Sequence, residues 1–320
     1  MPKQRKSESR VPRRAKALLK AISRCRHPEC PVVARHPFYW SEEPVAPVVP
    51  SYLKLGNIMI VAAYPTAMFV NFETEKHIPY YDVSEPLADY RYYDGTGVRD
   101  VKAGTYFDRA YLIPLGLRRK DLWITNTVKC FLFDKKQARR HRKLPMIKPI
   151  RIEPTREQFF DCARPCVETH LLREVKICKP KLILTIGAEA AEAIHGTFGK
   201  SKKKKDDVPG GKLIFSKIVG VPLRANKRMN RYDKREGIFF KTNIFHFIHP
   251  GYLMRVPYGK LSKEHWSKHL PAAFEFIKEL GIKQFRDKVG VKDRNLKKDL
   301  KEIEIESKHE IDHGATRVTL

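Results

Sequence analysis

The stretch KLILTIGAEAAEAIHG (181–196) combines two patterns that occur together in one class of fold. Its first seven residues are almost continuously apolar and partly β-branched, which predicts a strand buried on both faces. The following residues, AEAAEAIHG (188–196), predict a short helix that ends at a glycine. A buried strand that passes directly into a helix is typical of a parallel sheet covered by helices.

Similar buried strands are predicted at three other places along the chain, NIMIVAAY (57–64), DLWITNTV (121–128) and NIFHFI (243–248). Helical patterns lie between them, at TYFDRAYLIPLGL (105–117) and REQFFDCARPCVETHLLREVKI (156–177). The segment KLIFSKIVG (212–220) is a further strand candidate. This alternation predicts an α/β fold, a three-layer α/β/α sandwich with a mostly parallel central sheet.

The chain is strongly basic, with 64 Lys and Arg against 36 Asp and Glu in 320 residues and a formal net charge of +28. Because each neutralised phosphate releases condensed counterions, such a charge favours nucleic acid as the partner. The sequence contains no apolar run of membrane-spanning length and no secretory signal, which argues against a membrane role. We expect a cytoplasmic, nucleoid-associated monomer that needs no obligatory protein partner.

Composition divides the chain into three parts. Residues 1–24 form a basic stretch that is predicted to be a flexible arm. Residues 25–282 are predicted to form one α/β domain, which two exposed insertions interrupt at 134–151 and 200–211. Residues 283–320 are a charged extension, in which KDRNLKKDLKEIEIE predicts a solvated helix.

Three motifs inside the predicted domain resemble one protein family. They are GLRRKDLWITNTVKC (116–130), KPKLILTIGAEAAEAI (179–194) and FIHPGYLMR (247–255). In this order they resemble the iron–sulfur, family-four class of the uracil-DNA glycosylase superfamily, over about residues 25–280. The resemblance implies the three-layer α/β/α fold of that superfamily and DNA as the partner. It also implies excision of uracil or a modified pyrimidine by hydrolysis of the N-glycosidic bond.

The sequence has six cysteines, Cys25, Cys30, Cys130, Cys162, Cys166 and Cys178. Short-spaced thiols separated by a long gap suit a metal or cluster site in a reducing compartment. The resemblance implies a 4Fe-4S cluster with Cys25, Cys30 and Cys130 as three ligands, although Cys25 and Cys30 are two residues further apart than the family's C-x-x-C. The fourth ligand is Cys166 or Cys162, and we prefer Cys166 because helix length before a strand varies less than loop length. Zinc is the alternative, since four thiolates suit it equally.

Two polar residues at predicted strand ends suit the chemistry of base excision. Negative charge builds on the departing pyrimidine, so a donor must point at it, and His249 is the candidate for that donor. Asn126 offers a donor and an acceptor together, which matches one edge of a pyrimidine. The resemblance assigns the same two positions to catalysis and base recognition.

The resemblance also implies a base pocket that departs from the family pattern. After the first strand, where the family reads G-E-x-P-G, this chain reads Ala62-Ala63-Tyr64-Pro65-Thr66. Ala63 therefore occupies the position of the family's water-activating carboxylate. Tyr93 in RYYDG (91–95) takes the place of the family's aromatic wall.

Two segments are candidates for contact with DNA. Tyr252 and Leu253, followed by Arg255, are expected in the loop that probes the minor groove and fills the gap left by the flipped base. The loop around Arg139, Arg140 and His141 resembles a loop in one subclass of these glycosylases. In that subclass a histidine forms a covalent bond to the sugar of uracil-containing DNA. The basic composition of the loop in this chain favours ordinary phosphate contacts instead.

Two classes of function stay open at this level. The first is an enzyme that excises uracil or another modified pyrimidine, including a bulky base of modified phage DNA. The second is a glycosylase-like protein that recognises a modified base in DNA with little or no turnover. Ala63 favours the second class, whereas His249 and Asn126 favour the first.

Overall fold

The computed structural model of the protein describes residues 12–25, 47–65, 85–93, 98–130, 132, 155–196, 215–228 and 233–287, with the backbone alone at 90–93 and 98–101. Its central sheet has four parallel strands in the order β4-β1-β5-β6. These are β1 Ile58–Ala62, β4 Leu122–Asn126, β5 Leu182–Ile186 and β6 Asn243–Phe247. A separate antiparallel pair consists of β2 Tyr90–Tyr93 and β3 Val98–Val101. The four strands predicted from apolar runs are confirmed.

Ten described α-helices, numbered here in chain order, accompany the sheet. They are α1 Arg13–Ser23, α2 Ala103–Phe107, α3 Arg156–Cys166, α4 Leu172–Cys178, α5 Ala188–Ile194, α6 Phe215–Ile218, α7 Gly237–Phe240, α8 Pro250–Arg255, α9 Lys260–Glu264 and α10 Leu270–Glu279. Three described segments are turns of π-helix. Asp108–Leu112 extends α2, Val167–Leu171 joins α3 to α4, and His265–His269 joins α9 to α10. Within the described ranges, none of these helices has the length and apolar character needed to cross a membrane.

Alternate residues of β1 face two separate apolar layers. Ile58 and Ile60 pack into a layer with α2 and α10, whereas Met59 and Val61 pack into a layer with α3 and α4. Both sides of the strand are fully buried, because the side chains of a strand point alternately to opposite faces. The predicted three-layer α/β/α sandwich is confirmed.

Part of the predicted flexible arm is instead a helix packed on the domain. Ala15, Leu18 and Ile22 lie on one face of α1 and are buried, and α1 packs against α4. Their spacing of three and four residues gives a basic segment the apolar stripe it needs to dock. Residues 1–11 lie outside the described part of the chain, as do 288–320 of the predicted C-terminal extension.

The strand candidate at 212–220 is wrong over the part that the structure describes. Residues 215–218 form the short helix α6, and only Val219 makes a single bridge, to His246. Gly220 adopts a left-handed φ of 75°, which turns the chain away from the sheet. A continuous apolar run cannot by itself distinguish a short buried helix from a strand.

A chain of buried polar groups links β5 and β6 to the loop before α7. Thr185 Oγ1 lies 2.5 Å from His246 Nδ1, and His246 Nε2 lies 3.1 Å from His195 Nε2. His195 Nδ1 faces the Asp233 carboxylate at 3.8 Å, and Arg235 binds the same carboxylate at 2.9 Å. The imidazole rings of His195 and His246 can both make these contacts while neutral. Burial lowers the pKa of His195 to about 4, against the attraction of Asp233, and lowers the pKa of His246 as well.

Acid is expected to destabilise the fold through these histidines. Their pKa values are lower in the folded state than in the unfolded chain, so below about pH 6.5 the unfolded state binds protons that the folded state does not. The free energy of unfolding should be maximal above that pH. It should fall, by up to about 1.4 kcal/mol per pH unit for each histidine, as pH drops toward about 4. Urea denaturation at a series of pH values measures this slope.

His195→Gln is the matched variant, because glutamine keeps a hydrogen-bonding group near His246 and does not titrate. It should flatten the slope between about pH 6.5 and 4. An unchanged slope would show that His195 does not carry the effect.

Candidate active site at the carboxyl edge of the sheet

The four parallel strands end at one edge of the sheet, and a crevice is expected in its middle. The chain leaves β1 toward β4 on one side, whereas it leaves β5 toward β6 on the other. Neighbouring strands whose connections run in opposite directions leave space beyond their carboxyl ends, where α/β proteins bind ligands. The crevice therefore lies beyond β1 and β5, with the ends of β4 and β6 at its two sides.

Asn126 is the last residue of β4, and its carboxamide is buried without a partner. The residue is 1% exposed, and neither Oδ1 nor Nδ2 has a hydrogen-bond partner among the described residues. A buried polar group left unsatisfied costs about 1–3 kcal/mol, so such groups are rare and need a reason. A ligand that pairs with the amide would supply that reason.

Small residues occupy the middle of the edge. Ala62 ends β1 and Ala63 follows it, and Gly187 follows β5 with a φ of 92°. A Cβ on Gly187 would lie 3.5 Å from His249 Cβ and Cδ2, an ordinary van der Waals contact, so the positive φ rather than a lack of space favours glycine here. Asn126 ends one outer strand and His249 follows the other, and these two strands are roughly 14 Å apart at the usual strand spacing.

His249 follows β6 and caps α8. Its Nδ1 accepts a hydrogen bond from the Gly251 backbone N–H at 3.1 Å. An Nδ1 that accepts must be unprotonated, so the ring proton is on Nε2. The helix cap therefore fixes the tautomer in which Nε2 is a hydrogen-bond donor.

The other predicted pocket residues are placed only in part. The Tyr64 ring packs against Phe159 at 5.7 Å between centroids, and Pro65 is buried. Ala63 contributes its methyl group to the apolar layer with α3, so the position to which the resemblance assigns a carboxylate is apolar here. Tyr93 ends β2, but its side chain lies outside the described atoms, and Thr66 lies outside the described residues.

The loop after His249 exposes side chains that the sequence did not single out. Leu253 is 2% exposed and belongs to the core, and Tyr252 packs partly against that core. Arg255 is exposed, with its Nε donating to the Gly251 carbonyl at 3.1 Å. The exposed apolar residues are Met254, Val256 and Tyr258. Arg139, Arg140 and His141 lie outside the described residues.

Comparison with known proteins identifies the family. A sequence profile of the uracil DNA glycosylase superfamily matches residues 58–272, well over half of the chain. This chain belongs to the uracil DNA glycosylase superfamily. A type-4 uracil-DNA glycosylase of Pyrobaculum aerophilum is 27% identical over 148 residues, which cover 42% of this chain and 64% of that protein. The match therefore spans less than two thirds of the relative's length.

Two of the predicted cluster ligands of this superfamily member lie in one apolar layer, and a third is placed by its contact with His170. Cys130 and Cys166 contribute to the same apolar layer, as does the alternative ligand Cys162. Cys25 follows α1, and its Sγ lies 3.1 Å from His170 Nε2. Cys30 lies outside the described residues.

The position of His170 favours Cys166 over Cys162 as a neighbour of Cys25. Cys166 precedes His170 by four residues and Cys162 precedes it by eight, or roughly 6 and 12 Å along a helix. Within the described ranges, no three His, Cys, Asp or Glu side chains converge as ligands of a single metal ion. A four-iron cluster takes its thiolates from a wider volume than a single ion does.

Cys178 has the character of a core thiol. Its Sγ donates to the Lys54 carbonyl at 3.5 Å, and burial raises its pKa to about 12. A thiol that resists ionisation is a poor metal ligand, since metals bind the thiolate.

Sequence reasoning missed a buried ion pair beside Asn126. Lys129 Nζ lies 2.6 Å from Glu174 Oε1, and both side chains are fully buried. A lysine between Val128 and Cys130 in an apolar strand end was a visible signal, since lysine is almost never buried unpaired. Nothing in the sequence around Glu174 marked it as the partner.

Replacing Asn126 by leucine should stabilise the protein. Leucine fills a similar volume and removes a buried carboxamide that has no hydrogen-bond partner among the described residues. The free energy of unfolding should therefore rise by about 1–3 kcal/mol. Thr127→Val is the control, because it deletes the hydrogen bond from Thr127 Oγ1 to the Ala62 carbonyl. That variant should lose about 0.5–1.5 kcal/mol. Equal destabilisation of both variants in urea titrations would contradict the unpaired state of Asn126.

Proposed function

We propose that this protein is a DNA glycosylase that flips uracil or a modified pyrimidine out of DNA and hydrolyses its N-glycosidic bond. The observation that carries the proposal is the buried, unpartnered carboxamide of Asn126 at the carboxyl edge of the sheet. An amide presents a donor and an acceptor side by side, as the polar edge of a pyrimidine does. A bound base would meet the hydrogen-bonding needs that the described protein groups leave open.

His249 would act on the leaving base. The bond between C1′ of the sugar and N1 of the base breaks with its electron pair on the base, and negative charge develops on a base oxygen. The cap at Gly251 leaves the His249 proton on Nε2, where it can donate to that oxygen. Water then adds to the cationic C1′, and its proton ends on the departed base. Because ambient water can trap that cation, the step does not require a carboxylate at Ala63.

Two substitutions of His249 separate its helix cap from its catalytic donor. Asparagine can cap Gly251 but has no donor at the position of Nε2, so His249→Asn should fold normally and lose at least about 10²-fold in single-turnover rate. Glutamine can place an amide near Nε2 but loses the cap, so His249→Gln should keep more activity and less stability. DNA affinity should barely change in either variant. If His249→Asn retains wild-type activity, His249 has only a structural role.

The alternative is a protein that binds a modified base in DNA without turnover, which the apolar environment of Ala63 favours. Oligonucleotides that each carry one modified base, incubated with the protein and then treated with alkali, distinguish the two functions. Strand cleavage with one of them supports the enzyme. Tight binding of one without cleavage of any would exclude it.

Tyr258, rather than Leu253, is proposed to probe the duplex. Tyr258 is 75% exposed and lies beside exposed Met254 and Val256, whereas Leu253 is 2% exposed and packs in the core. Apolar side chains inserted between base steps hold open the gap left by a flipped base. Exposed Arg255 and Lys260 flank this apolar group and suit the phosphates beside it.

Tyr258→Ala should therefore slow excision from duplex DNA and leave excision from single-stranded DNA nearly unchanged, because a single strand needs no wedge. The ratio of the two single-turnover rates is the measurement. Leu253→Ala should instead lower the free energy of unfolding by about 2–5 kcal/mol. An unchanged rate ratio in Tyr258→Ala would assign the wedge elsewhere.

We also propose a 4Fe-4S cluster held by Cys25, Cys30, Cys130 and Cys166. Its support is the shared layer of Cys130 and Cys166 and the approach of Cys25 to the helix that carries Cys166. Such a cluster would serve as a cross-link, tying the segment after α1 to the end of β4 and to α3. Zinc bound by the same thiolates is the alternative.

Anaerobically purified protein should be brown, absorb near ~400 nm and contain about four irons per chain. Cys130→Ser and Cys166→Ser should lose the colour, whereas Cys178→Ser, which alters the core thiol, should keep it. Cys162→Ser decides the fourth ligand, because it should remain brown if Cys166 is that ligand. Colourless protein that carries zinc would overturn the cluster.

A further inference from the structure

The ion pair between Lys129 and Glu174 lies at the point where Asn126 leaves the sheet. The side chains are 1% and 0% exposed, and Nζ lies 2.6 Å from Oε1. The other oxygen of Glu174 accepts a hydrogen bond of 3.0 Å from Trp123 Nε1 on β4. The pair therefore joins α4 to β4 inside the layer that separates them.

The ammonium of Lys129 faces two further acceptors, both on the last two residues of β4. It donates to Thr125 Oγ1 at 2.6 Å and to the main-chain carbonyl of Asn126. The ammonium thus donates two hydrogen bonds to β4 and forms an ion pair with Glu174. The lysine thus fixes both the peptide that carries the Asn126 side chain and the residue before it.

Stability alone does not explain such a pair. Desolvation of two charges offsets most of their attraction, and replacing a buried pair by apolar side chains of similar volume is often neutral or stabilising. A hydrogen bond from an ammonium to a carbonyl is, however, strong and directional. Its effect here is to restrict the Asn126 peptide, whose side chain has no described partner to restrict it.

We infer that Lys129 and Glu174 are positioning residues for base recognition: Lys129 clamps the Asn126 peptide, and Glu174 holds Lys129 in place. This inference rests on the proposed function and adds to it how the recognition amide is aimed. An amide that no described group holds by a hydrogen bond can discriminate between bases only if its backbone is held before the base arrives. Small misplacements of a site group commonly cost large factors in rate.

The double variant Lys129→Met with Glu174→Gln tests the inference. It removes both charges together, so no unpaired charge stays buried, and glutamine keeps an acceptor for Trp123. Its urea midpoint should be close to that of the wild type. The ratio of kcat/KM for the best base to that for the next best should fall by at least about tenfold, while affinity for undamaged DNA stays constant.

A second readout does not require turnover. In protein labelled with ¹⁵N-asparagine, the side-chain amide signals of Asn126 are those that disappear in Asn126→Ala. They should be sharp in the wild type and broadened or doubled in the double variant. Thr125→Val, which deletes one of the two hydrogen bonds that Lys129 donates and leaves its ion pair with Glu174 in place, should change them in the same direction. It keeps the inference testable if the double variant does not fold.

Trp123→Phe is the matched control, because it removes a bond to Glu174 and leaves the contact of Lys129 with Asn126 intact. Base discrimination and the Asn126 signals should both stay at wild-type values in this variant. If a folded double variant keeps either the wild-type signals or the wild-type ratio, the positioning role is overturned and the pair is only structural. If the wild type releases no base from any oligonucleotide, the proposed function fails, and the amide signals alone decide whether Lys129 positions Asn126.

Discussion

Parallel pairing of four strands is the constraint on which the rest of this structure depends. Parallel strands direct all their carboxyl ends to one edge, and the order β4-β1-β5-β6 places two strands with diverging connections in the middle. Segments that are more than 120 residues apart in the chain, around Asn126 and His249, therefore meet at the same edge. The residues at the ends of the two middle strands, Ala62, Ala63 and Gly187, are small.

Buried polar groups in this molecule fall into two kinds. Arg235, His195 and His246 form a network in which hydrogen bonds and ion pairs compensate for lost hydration. Asn126 is of the other kind, because its main chain is clamped by Lys129 while its side chain lacks any described partner. Both polar atoms of this buried amide lack a described partner, and the amide lies at the carboxyl edge of the sheet, where α/β proteins bind ligands, so a ligand is the group expected to complete it.

The sequence and the structure disagree most where side chains meet solvent. Leu253 follows the motif of His249 and was expected to reach DNA, yet it packs in the core, and Tyr258 is the exposed residue. The basic segment before Cys25 was expected to be flexible, yet three apolar residues dock it on α4. Both expectations concerned the direction in which a side chain points, which depends on the contacts of the whole element rather than on the residue's neighbours in the chain.

The sequence by itself determined the four buried strands, the order of strands and helices, and the family motifs that contain Asn126, Cys130 and His249. Apolar periodicity and short motifs are local properties, so one sequence suffices to reveal them. Only the tertiary structure decided that Glu174, 45 residues beyond Lys129, completes its ion pair, and that Cys25 approaches His170 from another helix. These contacts join segments that are distant along the chain, and whether two such segments meet depends on how the layers pack against each other.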